Sequence, residues 1–144
     1  MRLDQTDWNI INLLSEKYVS NTAVAKQLDL SEGTVRHRIK KLQDAGILKI
    51  KALRDPDLLA DQQLAIVAAS IQKSDQLDAK AQEIAKLENV LSVSITSGRY
   101  DLFIEVLVDS NKGLIKFLTE SLAQVKGIAQ TETFVTLKSY NRYI

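Results

Sequence analysis

The chain has no cysteine, one histidine, one proline and five glycines in 144 residues. Without cysteine there are no disulfides, no thiolate metal sites and no cysteine nucleophile. With His37 as the single histidine, a metal centre built from several imidazoles is excluded. No apolar run approaches the roughly 20 residues needed to span a bilayer. The opening Met1-Arg2-Leu3-Asp4 is too polar for a secretory leader, so a cytoplasmic location without membrane attachment is expected. A hydrophobic share of 45% excludes a mainly disordered chain. No repeat and no low-complexity segment is visible.

Charge is scarce in sum and uneven in place. The net charge is +1, but residues 1–56 carry ten Lys/Arg against seven Asp/Glu, and residues 57–144 carry nine against eleven. Between Arg36 and Arg54 seven basic residues face only Asp44. A basic stretch on a near-neutral chain points to a polyanion-binding face on a protein with a second task. The plainer alternative is a solvated helix face.

The first half reads as helices. Asp4 precedes Trp8, Ile11, Leu14 and Val19 at helical spacing, with Trp8 expected in the core. A short helix fits Thr22 to Leu28 after an Asn21 cap. Asp29-Leu30 makes a turn, and Ser31 caps a third helix with Glu32 in its first turn. That helix carries Val35, Ile39 and Leu42 on one face, and Gly46 stands where a glycine stops a helix. Ile47 to Leu53 alternates apolar and basic residues, which predicts a strand forming one arm of a wing. Asp55-Pro56-Asp57 is a turn and the predicted domain boundary, dividing 1–56 from 57–144.

The second half alternates strand and helix signals. Strands are expected over Leu64–Ile71, Val90–Thr96, Leu102–Val108 and Ile128–Leu137, with helices over Leu77–Leu87 and Leu114–Leu122. The order βαββαβ predicts a ferredoxin-like sandwich, an antiparallel sheet with two helices on one face, so the chain is α+β. The uncovered face of such a sheet predicts self-association.

Two short helices joined by a tight turn, the second basic and capped, make a DNA-reading unit. The apolar stripe locks the second helix, and its opposite face meets bases and phosphates. The residues placed there are Ser31, Glu32, Gly33, Thr34, Arg36, His37, Arg38, Lys40 and Lys41. Arg36 and Arg38 suit guanine edges or phosphates, Lys40 and Lys41 suit phosphates, and Gly33 permits close approach. Double-stranded DNA is therefore the expected partner. Enzyme chemistry lacks support. No carboxylate pair is forced into a cleft, no glycine-rich phosphate loop follows a strand, and a serine–histidine–acid triad would have to use His37. No cofactor is expected.

These residues carry a family resemblance. Leu3-Asp4, Asp7, Ile10-Ile11, Val24-Ala25, Leu28, Ser31, Thr34-Val35, Arg38-Ile39, Leu42, Gly46-Ile47-Leu48, Pro56, Leu59, Gly98-Arg99-Tyr100-Asp101, Thr131, Thr133 and Val135 resemble the Lrp/AsnC (leucine-responsive and asparagine-regulator) family of prokaryotic transcription regulators. Glu16 to Asn21 departs from the family in being short and lacking its asparagine-x-arginine.

The resemblance implies a winged helix-turn-helix followed by a ferredoxin-like domain that senses an amino acid or related metabolite. It implies dimers formed through the sheets, assembling further into tetramers or octamers. It also implies an effector site between dimers at the glycine-x-x-aspartate loop, comprising Gly98, Tyr100 and Asp101 with Thr133 and Val135. Asp101 would accept the effector's amino group, and Arg99 either adds an anion contact or sits in water. Asp101 has a plainer reading as a turn residue. The function this predicts is a sequence-specific DNA-binding regulator whose assembly and DNA binding respond to a small effector. The alternatives are an architectural DNA-binding protein without effector and an enzyme similar to sirohaem decarboxylases, against which the lone His37 argues.

Overall fold

A computed structural model describes residues 2–58 and 61–144, so Met1, Leu59 and Ala60 lie outside the described residues. The chain divides into two compact units, Met1–Ala52 and Leu53–Ile144. The division falls before the predicted boundary at 56/57 because Arg54 already belongs to the second unit. Its amide and carbonyl pair reciprocally with the carbonyl and amide of Ile144, both at 2.9 Å.

The first unit holds three helices, α1 (Gln5–Glu16), α2 (Asn21–Leu28) and α3 (Glu32–Asp44). Each starts on a side-chain cap that satisfies orphan amides of the first turn. Asp4 Oδ1 accepts the Asp7 amide at 2.8 Å, and Asp7 Oδ2 accepts the Asp4 amide at 3.2 Å, a capping box made of two aspartates. Ser20, one residue before the predicted Asn21, accepts the Ala23 amide at 3.2 Å. Ser31 caps α3 as expected, accepting the Thr34 amide at 3.1 Å. Gly46 adopts φ +69, the left-handed conformation glycine takes without strain. That lets the Gly46 amide reach Gln43 O at 2.9 Å and the Ile47 amide reach Leu42 O at 3.0 Å, which closes α3.

Ile10, Val24, Ala25, Val35, Ile39 and Leu42 form this unit's core. Trp8, predicted to be buried, is half exposed at 50%, and the buried position of that turn is Asp7. Val19 lies past the end of α1. The predicted wing strand is also absent: Ile47 to Leu53 is in no ladder among the described residues. Alternation supplies the two faces of a strand, but a strand exists only through a hydrogen-bonded neighbour, and nothing described in this unit provides one.

The second unit contains β1 (Gln63–Ile71), α4 (Leu77–Ile84), β2 (Val90–Ile95), β3 (Leu102–Val108), α5 (Asn111–Lys116) and β4 (Ile128–Val135). The strands pair antiparallel in the order β2-β3-β1-β4, the predicted ferredoxin-like sheet. The second helix begins earlier than predicted, because Ser110 caps it through the Gly113 amide at 3.2 Å. After Lys116 it widens into a π turn over Phe117–Ser121 and ends in a tight turn at Gln124. The first helix stops at Ile84 rather than Leu87, and β4 stops at Val135 rather than Leu137.

One face of the sheet carries Ala65, Val67, Ala69, Leu102, Ile104, Val106 and Val108, which pack with Ala81 and Ile84 of α4 and with Leu114 and Phe117. Among the described residues of this unit, no helix packs on the other face. Register places Ile66 opposite Phe134 on β4 and Ala68 opposite Phe103 on β3. Phe103 is 37% exposed and Phe134 48%, while Ala68 between their rows is fully buried.

Candidate functional site

α3 turns by about 100° per residue, and Val35, Ile39 and Leu42 point into the core. The same periodicity puts Gly33, His37 and Lys40 on the opposite, solvent side. Arg36 flanks them on one shoulder, and Thr34 and Lys41 on the other. All six are exposed. The basic face predicted from sequence therefore exists on a helix whose other face is locked.

Not every predicted DNA contact is free. Arg38 lies toward α1 and is committed there. Its Nη1 donates to Asp4 Oδ1 at 2.9 Å, to Asp4 Oδ2 at 2.7 Å and to Asp7 Oδ1 at 2.8 Å. Hydrogen bonding to Arg38 first, then to the Asp7 amide, holds the Asp4 carboxyl below the usual aspartate range. Its hydrogen bonds to the Asp4 carboxylate first, and to the Asp7 carboxylate after it, raise the Arg38 guanidinium further. Arg38 was expected at guanine edges or phosphates; in the structure its Nη1 instead fixes α3 against the start of α1.

Glu32 is likewise engaged. Thr22 Oγ1 donates to its Oε2 at 3.0 Å, joining α2 to α3, and Arg36 forms an ion pair with its other oxygen. Thr22 first, and Arg36 after it, lower the Glu32 pKa. The Ser31 and Thr34 hydroxyls share a hydrogen bond of 2.8 Å. Arg36 remains 70% exposed despite its partner. The side chains presented outward are thus Arg36, His37, Lys40 and Lys41, around the open backbone of Gly33. Asp4 and Asp7, which orient the helix, carried a readable signal in their capping-box spacing. Their grip on Arg38, 34 and 31 residues away, carried none.

The second candidate region is the turn before β3. Gly98 sits there at φ +149 with open space around it, a conformation that side chains rarely take. Arg99 is exposed, with its guanidinium 5.4 Å from the centre of the Tyr100 ring. Tyr100 is buried, 8% exposed, and its hydroxyl donates to Glu132 of β4. That hydrogen bond, followed by desolvation, raises the Tyr100 pKa above 10.0. Glu132 was not singled out by sequence reasoning; nothing local marks it.

Asp101 is built into the sheet. Its Oδ2 accepts the Ile71 amide at 2.8 Å, its amide donates to Ala69 O at 3.0 Å, and its carbonyl accepts the Thr96 amide at 2.9 Å. It ties β1, β2 and β3 together at one end. Asp101→Ala is therefore expected to strand the Ile71 amide and cost about 1–3 kcal/mol. Asp101→Asn keeps an acceptor oxygen and should cost less. Urea unfolding of the two variants checks this, and equal midpoints would refute the structural role.

The structure does not bring Thr133 and Val135 to this cluster's side. They pair with Val67 and Ala65 on the helix-packed face, whereas Glu132, opposite Ala68, lies on the uncovered one. A one-residue step along a strand changes the face.

Among the described residues no group of three His, Asp or Glu side chains is arranged to hold a metal ion. Among them, too, no helix is long and apolar enough to cross a membrane.

Known proteins share both halves of this arrangement. Residues 3–49 match a family model described as winged helix-turn-helix DNA-binding, and residues 64–143 match the Lrp/AsnC ligand binding domain. An uncharacterised HTH-type transcriptional regulator of Pyrococcus furiosus is 33% identical, over 92% of this chain and 90% of its own length. The leucine-responsive regulatory protein of Klebsiella pneumoniae is 27% identical, over 99% of this chain and 91% of its own. Among solved structures, a transcriptional regulator of Neisseria meningitidis in complex with L-Met is 25% identical with a TM-score of 0.73, covering 98% of this chain and 94% of that one.

Proposed function

The chain belongs to the Lrp/AsnC family of transcription regulators, and from that premise we propose that it regulates transcription by binding duplex DNA through α3, under the control of a small effector bound by its second unit. The observation that carries the DNA reading is the outward face of α3, where Arg36, His37, Lys40 and Lys41 surround Gly33 on a helix capped by Ser31. Basic side chains placed this way neutralise phosphates, and the N-terminal turn of the helix reaches base edges. Double-stranded DNA is the partner, and no reaction is catalysed in this reading.

The effector is proposed to be an amino acid or a close relative, since the similar regulator from Neisseria meningitidis was solved with L-Met. The site favoured by the geometry is the turn at Gly98 with Arg99, Tyr100 and Glu132. The exposed Arg99 guanidinium suits a carboxylate, and the Glu132 carboxylate suits an ammonium. Asp101 supports this turn through its bonds to the sheet, a positioning role. Thr133 and Val135 leave the proposed set because they face the other way.

Self-association through the uncovered face around Phe103 and Phe134 is part of the same reading. Two copies of α3 would then reach two half-sites about one helical turn apart. Effector and DNA would each change the other's affinity by the same factor.

Light scattering with each standard amino acid in turn, with and without a duplex enriched from random-sequence DNA, tests the whole reading. A particle mass or DNA affinity that shifts with one amino acid is expected. A mass larger than the monomer that no amino acid moves would favour the architectural alternative, and a chain that enriches no duplex would refute the DNA reading.

A further inference from the structure

We propose that Arg2 is a DNA-contacting residue, held beside α3 by the Asp4–Asp7–Arg38 cluster, so that the interface runs off the recognition helix onto the segment that precedes α1. The inference rests on the DNA-binding reading above and extends it to a side chain outside the helix-turn-helix.

Three observations carry it. Arg2 shares one open cleft with Thr34 and Lys41, on the shoulder of α3 nearest α1, and with Gly33 and His37 of its outward face. The cleft therefore continues the basic face. Its floor is the cluster itself, in which Asp4 is fixed from two directions, by the Asp7 amide and by Arg38. Arg2 lies two residues before that anchor, and two residues of chain span at most about 7 Å. Its backbone is thereby confined near the cleft rim. Finally, Arg2 is exposed and takes no part in any of the ion pairs among the described residues.

Charge makes the arrangement meaningful. Asp4 and Asp7 bring two carboxylates to the edge of a surface that meets phosphates, and Arg38 cancels one of them. The remaining negative charge would repel the DNA backbone. A free guanidinium at Arg2 removes that penalty and can take a phosphate in a two-pronged hydrogen bond. On this account the two arginines divide the work: Arg38 positions the arm and Arg2 touches the duplex.

The test is the salt dependence of binding by the full chain to a duplex enriched from random-sequence DNA by the unaltered protein. Each phosphate contact adds about 0.9 to the slope of log affinity against log salt. Arg2→Gln is expected to lower that slope by about 0.9 and weaken binding roughly fivefold near 0.15 M salt, with the thermal midpoint unchanged. Arg2→Lys keeps the charge and should restore the slope, which a merely structural role would not require. Lys40→Ala serves as the internal comparison on α3. An unchanged slope in Arg2→Gln beside a reduced one in Lys40→Ala overturns the arm and leaves the helix reading standing. An unchanged slope in both overturns the two together.

Discussion

Replacing Arg36, Lys40 and Lys41 together by alanine is expected to cost about two orders of magnitude in affinity for duplex DNA near 0.15 M salt. Each basic residue that meets a phosphate releases counterions, and three such contacts together give a loss of this size. The slope of log affinity against log salt should fall by about 2.7 at the same time. If Arg36 also reads a base edge, its share rises to about 1–3 kcal/mol, and discrimination at one position relaxes. Folding should hardly respond. All three side chains are exposed on α3, away from Val35, Ile39 and Leu42, and alanine is the best helix former. Among the described residues the interaction removed is the solvent-exposed Arg36–Glu32 pair, and Glu32 keeps its bond from Thr22. Titration of a labelled duplex at several salt concentrations measures both numbers. Unchanged affinity in a folded triple variant would move the DNA interface off α3.

Arg38 is left out of that set, and the reason shows where sequence reading ends. From the sequence alone Arg36 and Arg38 look equivalent. Only the fold separates them, because Asp4 and Asp7 wait on the side of α3 that Arg38 faces. Local features were readable: Ser31 caps α3, and Gly46 ends it, because each acts on backbone groups a few residues away. The order of the elements was readable for a related reason, since period 2 and period 3.6 are written into the chain.

What could not be read depends on partners far along the sequence. Trp8 fits an apolar stripe, yet the buried position is Asp7, a charged residue made acceptable by Arg38. Ile47 to Leu53 alternates as a strand should and has no described neighbour to pair with. Asp101 looked like a turn residue or a ligand contact, and its carboxylate in fact receives a backbone amide from β1. The Tyr100–Glu132 contact joins positions 32 residues apart and leaves no trace in spacing.

The second large effect concerns the uncovered face of the sheet. If the chain self-associates as proposed, Phe103→Asp combined with Phe134→Asp is expected to turn the assembly into monomers. Both rings stand on that face with Ala68 buried between their rows, and neither side chain is needed to fill the core under α4 and α5. The sheet should therefore survive, as circular dichroism would show. If two copies meet through this face, each new carboxylate is buried without a cation, at about 3 kcal/mol or more. A twofold interface repeats both substitutions, so the four carboxylates together cost about 12 kcal/mol, enough to dissociate even a nanomolar dimer at micromolar concentrations. Glu132 and Glu105 already border the patch, and Glu105 pairs with Arg142, so the added charges join carboxylates already present on that face. DNA affinity should fall with the particle mass, because a monomer brings one α3 to a site that a dimer reads with two. An unchanged mass would remove the sheet face from the assembly and direct attention to the edge strands β2 and β4. A monomer that still binds DNA as tightly would break the link between assembly and recognition on which control by an effector depends.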